Sequence, residues 1–190
     1  MDVKSILLCG VGGQGILLAS DILAGVCMEA GYDVKKSEVH GMSQRGGSVI
    51  SGVRFGDKVY SPLIGKGGAD ILLAFEKLEA VRNIEYLKPD GFVVVNNFRI
   101  DPMPVASGTA EYPKGLIEKL KSWVENVVVI DGLSLAKTAG NPRSMNIVLL
   151  GALAKRMDIP KEVWLSVIEK RVPPKTVEIN KKAFELGYAS

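Results

Sequence analysis

Cysteine and histidine are almost missing from this 190-residue chain, which has two of the first and one of the second. An iron–sulfur cluster usually takes four cysteines, so the chain is not expected to hold one by itself. No residues stand at metal-ligand spacing, and no Ser–His–Asp arrangement is visible around the lone histidine. Charge of one sign is also lacking: 24 basic against 21 acidic side chains give a net +3, with no dense Lys/Arg block. Nucleic-acid binding is therefore not expected. Apolar runs are interrupted well short of the roughly 20 residues that a membrane span needs. The N-terminus, Met1-Asp2-Val3-Lys4-Ser5, shows no positively charged leader ahead of a separate apolar core. A reduced, cytoplasmic protein is the expectation. A hydrophobic fraction of 47% and a charged fraction of 24% suit an ordinary globular fold. The length suits one unit over residues 1–190 rather than two.

What the chain does have is glycine at informative places. Ile6-Leu7-Leu8-Cys9 reads as a buried strand, and Gly10, Gly12 and Gly15 then fit G-x-G-x-x-G directly before an apolar helix, Ile16 to Ala30. Each glycine has a task in such a turn: tight reversal, close approach of backbone to a phosphate, and close packing of helix on strand. A helix N-terminus there offers unpaired N–H groups to an anion. The alternative is a strand-to-helix turn that needs glycine for packing only. The helix is apolar nearly all round, so it is expected to be buried by the sheet and by a partner chain or second copy as well. Cys9 and Cys27 lie among apolar neighbours and read as buried structural thiols.

Tyr32 to Val39 reads as a second strand. A polar, glycine-rich stretch follows, from Glu38 through His40 to Ser48. Val49–Phe55 and Lys58–Ile64 flank Gly56-Asp57 as a hairpin. Ala69–Phe75, Phe92–Asn97 and Val127–Asp131 read as further strands, and Glu76–Leu87 and Lys114–Trp123 as helices. From Leu133 the chain turns helical, with segments at 133–139, 145–157, 161–171 and 175–186. Alternating strands and helices imply a three-layer, Rossmann-like α/β/α fold. We expect a largely parallel sheet, a β-hairpin insertion and a helical C-terminal segment over about 133–190.

Several side chains qualify for chemistry, each beside a plainer reading. Glu38, ending the second strand, suits a ribose hydroxyl, which keeps a nicotinamide- or flavin-binding oxidoreductase open. His40 suits acid, base or phosphate-donor duty, or a structural place. Arg45 has the planar fork for a phosphate or carboxylate, or for a surface ion pair. Gln14 either faces a ligand or bonds to its own loop. Lys66, among glycines, lacks the rest of a P-loop. Asn146 either reaches the same crevice or caps its helix.

Gly10-Val11-Gly12-Gly13-Gln14-Gly15, then Glu38-Val39-His40-Gly41-Met42-Ser43-Gln44-Arg45-Gly46-Gly47, resembles the gamma subunit family of 2-oxoacid:ferredoxin oxidoreductases. Within it, the likeness is to the small (beta) subunits of indolepyruvate ferredoxin oxidoreductases. It extends over the Ala69-Asp70 strand and the helix from Met145-Asn146 to Leu150-Gly151-Ala152. The resemblance implies an enzyme that decarboxylates a 2-oxoacid with thiamine diphosphate, passes electrons through iron–sulfur clusters to ferredoxin, and gives the acyl group to coenzyme A. Clusters, thiamine diphosphate and magnesium would belong to a large alpha subunit, and this chain would be inactive alone. Asn96-Asn97 lacks the upstream Gly-Asp-Gly of a thiamine–magnesium motif. Here Gly10, Gly12, Gly13, Gln14, Gly15, Ser43, Gln44, Arg45, Gly46, Gly47 and Asn146 are expected against coenzyme A. His40 is the candidate for acid–base duty. A purely structural assembly subunit is the remaining alternative.

Overall fold

The apolar run that precedes the glycines forms β1 (Lys4–Val11), and the computed structural model, which describes residues 2–40 and 47–190, places it inside a six-stranded sheet. Elements follow as α1 (Ile16–Glu29), β2 (Asp33–His40), β3 (Ser48–Gly56), β4 (Ala69–Ala74), α2 (Lys77–Arg82), β5 (Leu87–Asn96), α3 (Met103–Ala106) and α4 (Leu116–Trp123). After these come β6 (Asn126–Ile130), α5 (Gly132–Ala139), α6 (Met145–Ala154), α7 (Lys161–Arg171) and α8 (Val177–Tyr188). Strand order is β2-β3-β1-β4-β5-β6. β1, β4, β5 and β6 pair in parallel, while β3 runs antiparallel to both β1 and β2. The expected α/β class with a largely parallel sheet is the one observed.

Successive residues of a strand point to opposite faces, and the core divides accordingly. Ile6 and Leu8 of β1, Ile71 and Leu73 of β4 and Val94 of β5 pack with α1 and α5 to α8. Leu7 and Cys9, Leu72 and Ala74, and Val93 and Val95 meet α2 and α4 on the other face. α6 is buried along all ten of its residues, as befits a helix with no polar stripe. It crosses α8 at van der Waals contact of backbone on backbone: a Cβ on Gly187 would stand 1.9 Å from the Val148 carbonyl oxygen, and one on Gly151 2.1 Å from that of Phe184. The second apolar side of α1 packs against α7 of the same chain, with Gly25 close against Val167. Among the described residues no helix is long and apolar enough to cross a membrane.

Three readings of the sequence are corrected. The hairpin is formed by β2 and β3, with His40 opposite Val49, and not by Lys58–Ile64 folding back on β3. Both edges of β3 are already paired, so no ladder remains for that segment. It lies instead as a strap held by side chains: Arg54 Nη1 donates to the Ser61 carbonyl at 2.8 Å, Ser37 Oγ to that of Pro62 at 3.1 Å, and the Val59 N–H to Asp33 Oδ2 at 2.8 Å. The helix read over Glu76–Leu87 ends at Arg82, followed by a 3-10 turn at Ile84–Tyr86. Pro89-Asp90-Gly91 does not end a helix but lies within β5, next to a register shift against β4. There an irregular ladder tolerates the missing proline donor.

Candidate functional site

β1 delivers the glycine turn to the carboxyl end of the sheet, where open α/β folds place ligands. Gly15 is the N-cap of α1 with φ +74°, and Gly13 has φ +105°. An added Cβ on Gly13 would meet nothing within 4 Å, so its face is open, whereas one on Gly10 would meet Phe75, Gln14 and Ile16 below 3.0 Å. Gly10 thus serves packing and Gly13 serves approach. The first-turn N–H groups of α1, at Ile16, Leu17 and Leu18, have no intrahelical acceptor, and no acidic side chain stands in that turn.

The Gln14 amide is engaged by backbone groups of its own turn and of the end of β4. Its Oε1 accepts from the Val11 N–H at 2.8 Å and its Nε2 donates to the Phe75 carbonyl at 2.9 Å. That carbonyl also accepts from Asn96 Nδ2 at 3.1 Å, while Asn96 Oδ1 takes the Gly132 N–H at 3.0 Å. One fully buried oxygen at the end of β4 therefore ties the turn after β1 to β5 and to the start of α5. In the sequence Asn96 reads as a strand end and as part of an Asn96-Asn97 pair without a thiamine–magnesium motif, and its polar side chain directly after Val93-Val94-Val95 is the signal of a buried hydrogen-bonding role.

Asn146 does reach the turn. It is 5% exposed and donates from Nδ2 to the Gly15 carbonyl at 3.3 Å. Beside this contact lies a cleft of about 590 Å³, lined by Gly12 to Gly15, Leu18, Phe98, Ile100, Pro142, Arg143, Met145 and Asn146. Arg143 is exposed at this cleft and has no ion-pair partner among the described residues. In the sequence it stands in Asn141-Pro142-Arg143, a break between two helical segments, with no motif around it.

The second motif arrives at the same place. The Gly12 N–H donates to the Gly47 carbonyl at 2.8 Å, and Ser48 Oγ then donates to the buried Glu79 at 2.5 Å. Ser43, Gln44, Arg45 and Gly46 lie outside the described residues, as does the side chain of His40. The backbone of His40 stands opposite Val49, which stands opposite Gly10, so two strand spacings, about 10 Å, separate it from the turn.

The other candidates sit elsewhere. Lys66 makes an exposed ion pair with Glu85 at 2.8 Å. Glu38 is on the edge strand β2, paired with Lys36, and β3 intervenes between it and β1. Cys9 and Cys27 are both buried free thiols. Burial pushes Cys27 up to about 12, and burial together with the Glu79 and Glu76 charges pushes Cys9 up. Thiols that resist ionisation and stand on separate elements do not fit a cluster-binding set.

A wider likeness accompanies this geometry. Residues 5–190 match the sequence pattern of the pyruvate ferredoxin/flavodoxin oxidoreductase family. Indolepyruvate oxidoreductase subunit IorB of Pyrococcus horikoshii is 46% identical over 98% of this chain and 95% of that protein. The crystal structure of a keto/oxoacid ferredoxin oxidoreductase gamma subunit from Geobacter sulfurreducens superposes with a TM-score of 0.73 at 27% identity, covering 98% of this chain and 96% of that one. The 2-oxoglutarate:ferredoxin oxidoreductase of Magnetococcus marinus, solved with 2-oxoglutarate, coenzyme A and succinyl-CoA bound, gives 0.73 at 25% identity; all of this chain matches 31% of that longer one. A glycine turn, a second glycine motif hydrogen-bonded to it and a family pattern running through both lead to one conclusion: the chain belongs to the pyruvate ferredoxin/flavodoxin oxidoreductase family.

Proposed function

We propose that this chain is the small, cluster-free subunit of a 2-oxoacid:ferredoxin oxidoreductase of the indolepyruvate type, and that its glycine cleft contacts coenzyme A. The observation that carries the reading is the Gly12–Gly47 hydrogen bond, which joins the two motifs at one cleft. The open face of Gly13, the free first-turn amides of α1 and the exposed Arg143 suit a phosphate-bearing group there. The same fold is only a third of the Magnetococcus marinus chain bound to 2-oxoglutarate, coenzyme A and succinyl-CoA. That supports a larger partner subunit holding thiamine diphosphate and the clusters that relay electrons to ferredoxin. Thiamine diphosphate, when bound in that partner, stabilises the carbanion left by decarboxylation. This chain's part is to position coenzyme A and to shut water out of the cleft.

A nicotinamide enzyme is the weaker reading, because β3 occupies the sheet position beside β1 where a dinucleotide fold places the strand bearing its ribose-binding carboxylate. The test is the reconstituted complex. Arg143→Ala, Arg45→Ala and His40→Ala are each expected to raise KM for coenzyme A about tenfold, with the complex still assembling. Unchanged KM and turnover in all three would leave a structural subunit only.

A further inference from the structure

The glycine cleft has a neighbour. Alternate residues of the Asn97–Ile100 segment line two different depressions. Phe98 and Ile100 face the glycine cleft, while Asn97 and Arg99 face a groove of about 440 Å³ at the carboxyl ends of β5 and β6. Lys77, Arg99 and Lys114 converge on that groove, against a single carboxylate in its lining, Glu118. Arg99 is held in place. Its guanidinium carbon lies 4.2 Å from the centroid of the Tyr112 ring, and its Nε donates to Asp101 Oδ1 at 2.6 Å. Tyr112 is itself buried and anchored through its hydroxyl to the buried Glu76. Lys77 Nζ lies 6.0 Å from the same ring.

Both Nη groups of Arg99 lack a partner among the described residues, and neither Lys77 nor Lys114 has an ion-pair partner there. Asp101 already pairs with the Nε side of Arg99, which leaves the Lys77 and Lys114 ammonium groups uncompensated beside the guanidinium, and such cations repel each other unless a further anion joins them. A guanidinium fixed by ring stacking, with its Nη fork still free, is pre-set for two hydrogen bonds to phosphate oxygens. We propose that this groove is a second anion subsite, which takes the phosphate of a small organic phosphate on the far side of the Asn97–Ile100 segment from the glycine turn. The proposal does not need the glycine cleft to bind anything.

The test uses the isotope-labelled full chain followed by amide NMR, titrated with inorganic pyrophosphate and, separately, with an adenosine bisphosphate. The expected result is movement of the Lys114, Gly115, Leu116 and Ile117 amides with either probe, tighter for the bisphosphate. In the double variant Arg99→Gln/Lys114→Gln, affinity is expected to fall at least tenfold with an unchanged melting temperature, since both side chains are exposed. Lys66→Gln, an exposed lysine elsewhere, is expected to bind like the parent. The proposal is overturned by an absence of groove shifts up to about 10 mM probe, well above a weak site's range. It is overturned equally by undiminished binding in the double variant, and its organic-phosphate part by a bisphosphate no tighter than pyrophosphate. Shifts confined to Gly13–Leu18 would defeat this inference while supporting the glycine-cleft reading; shifts confined to the groove would do the reverse.

Discussion

The shared acceptor at Phe75 makes a quantitative demand on stability. Gln14 and Asn96 both donate to its carbonyl, and each also accepts one backbone N–H, from Val11 and Gly132 respectively. Asn96→Ala strands the buried Gly132 N–H and is expected to cost about 2–3 kcal/mol. Gln14→Ala strands the Val11 N–H at a half-buried turn and is expected to cost about 1–2 kcal/mol. In either single variant the Phe75 oxygen keeps one donor. In the double variant it keeps neither, which adds about 1–2 kcal/mol for a buried unpaired carbonyl beyond the sum of the singles. Urea denaturation of the four proteins measures this directly. For a chain of this size, 3 kcal/mol corresponds to a fall of about 6–12 °C in Tm. Additivity within about 0.5 kcal/mol would refute the shared-acceptor reasoning.

Other expectations follow from the same geometry. Gly187→Ala puts a methyl where only 1.9 Å separates it from the Val148 oxygen, and should cost about 3 kcal/mol or more; Gly65→Ala, with open space, should be neutral by the same denaturation assay. Burial pushes the Asp70 carboxyl up, but Lys88, the Ser5 N–H and Lys4 outweigh it, so its folded value is depressed. Its contribution is therefore complete above the unfolded range, about pH 4, and is lost as pH falls through the folded value. Asp70→Asn should lower the urea midpoint at neutral pH, with the gap to the parent closing below about pH 4; a gap constant down to pH 3 would contradict it. Finally, both buried thiols should ignore a thiol-specific reagent in the native protein and react together only on unfolding. Rapid native labelling of either would show the burial to be wrong.

Much of the scaffold was readable because its signals are local. An apolar run, glycines and an apolar helix define β1, the turn and α1 within two dozen residues. The valine-rich β5 and β6 and the apolar α6 are just as plain. Pairing was less readable, since nothing near Ser48–Gly56 says that β1, some forty residues earlier, will claim its free edge. Buried polar groups were least readable. Glu76 looks like an ordinary first-turn acid, yet it is 1% exposed, caps α2 through the Leu78 and Glu79 N–H groups and holds Tyr112. Of the expected site residues, Gly10, Gly12, Gly13, Gln14, Gly15, Gly47 and Asn146 come together around the turn, and the Gln14 amide also braces it against the Phe75 carbonyl. Arg143 joins them unannounced, because a lone arginine after a proline has no pattern to betray it.

The contact between α6 and α8 also reaches the glycine turn. Asn146, which closes the glycine cleft, rides on a helix that is seated by the backbone of residues 184–188. The wall opposite the turn at residues 12–15 is therefore in place only when α6 and α8 are packed together. A segment remote in sequence thus sets the shape of the glycine turn's surroundings.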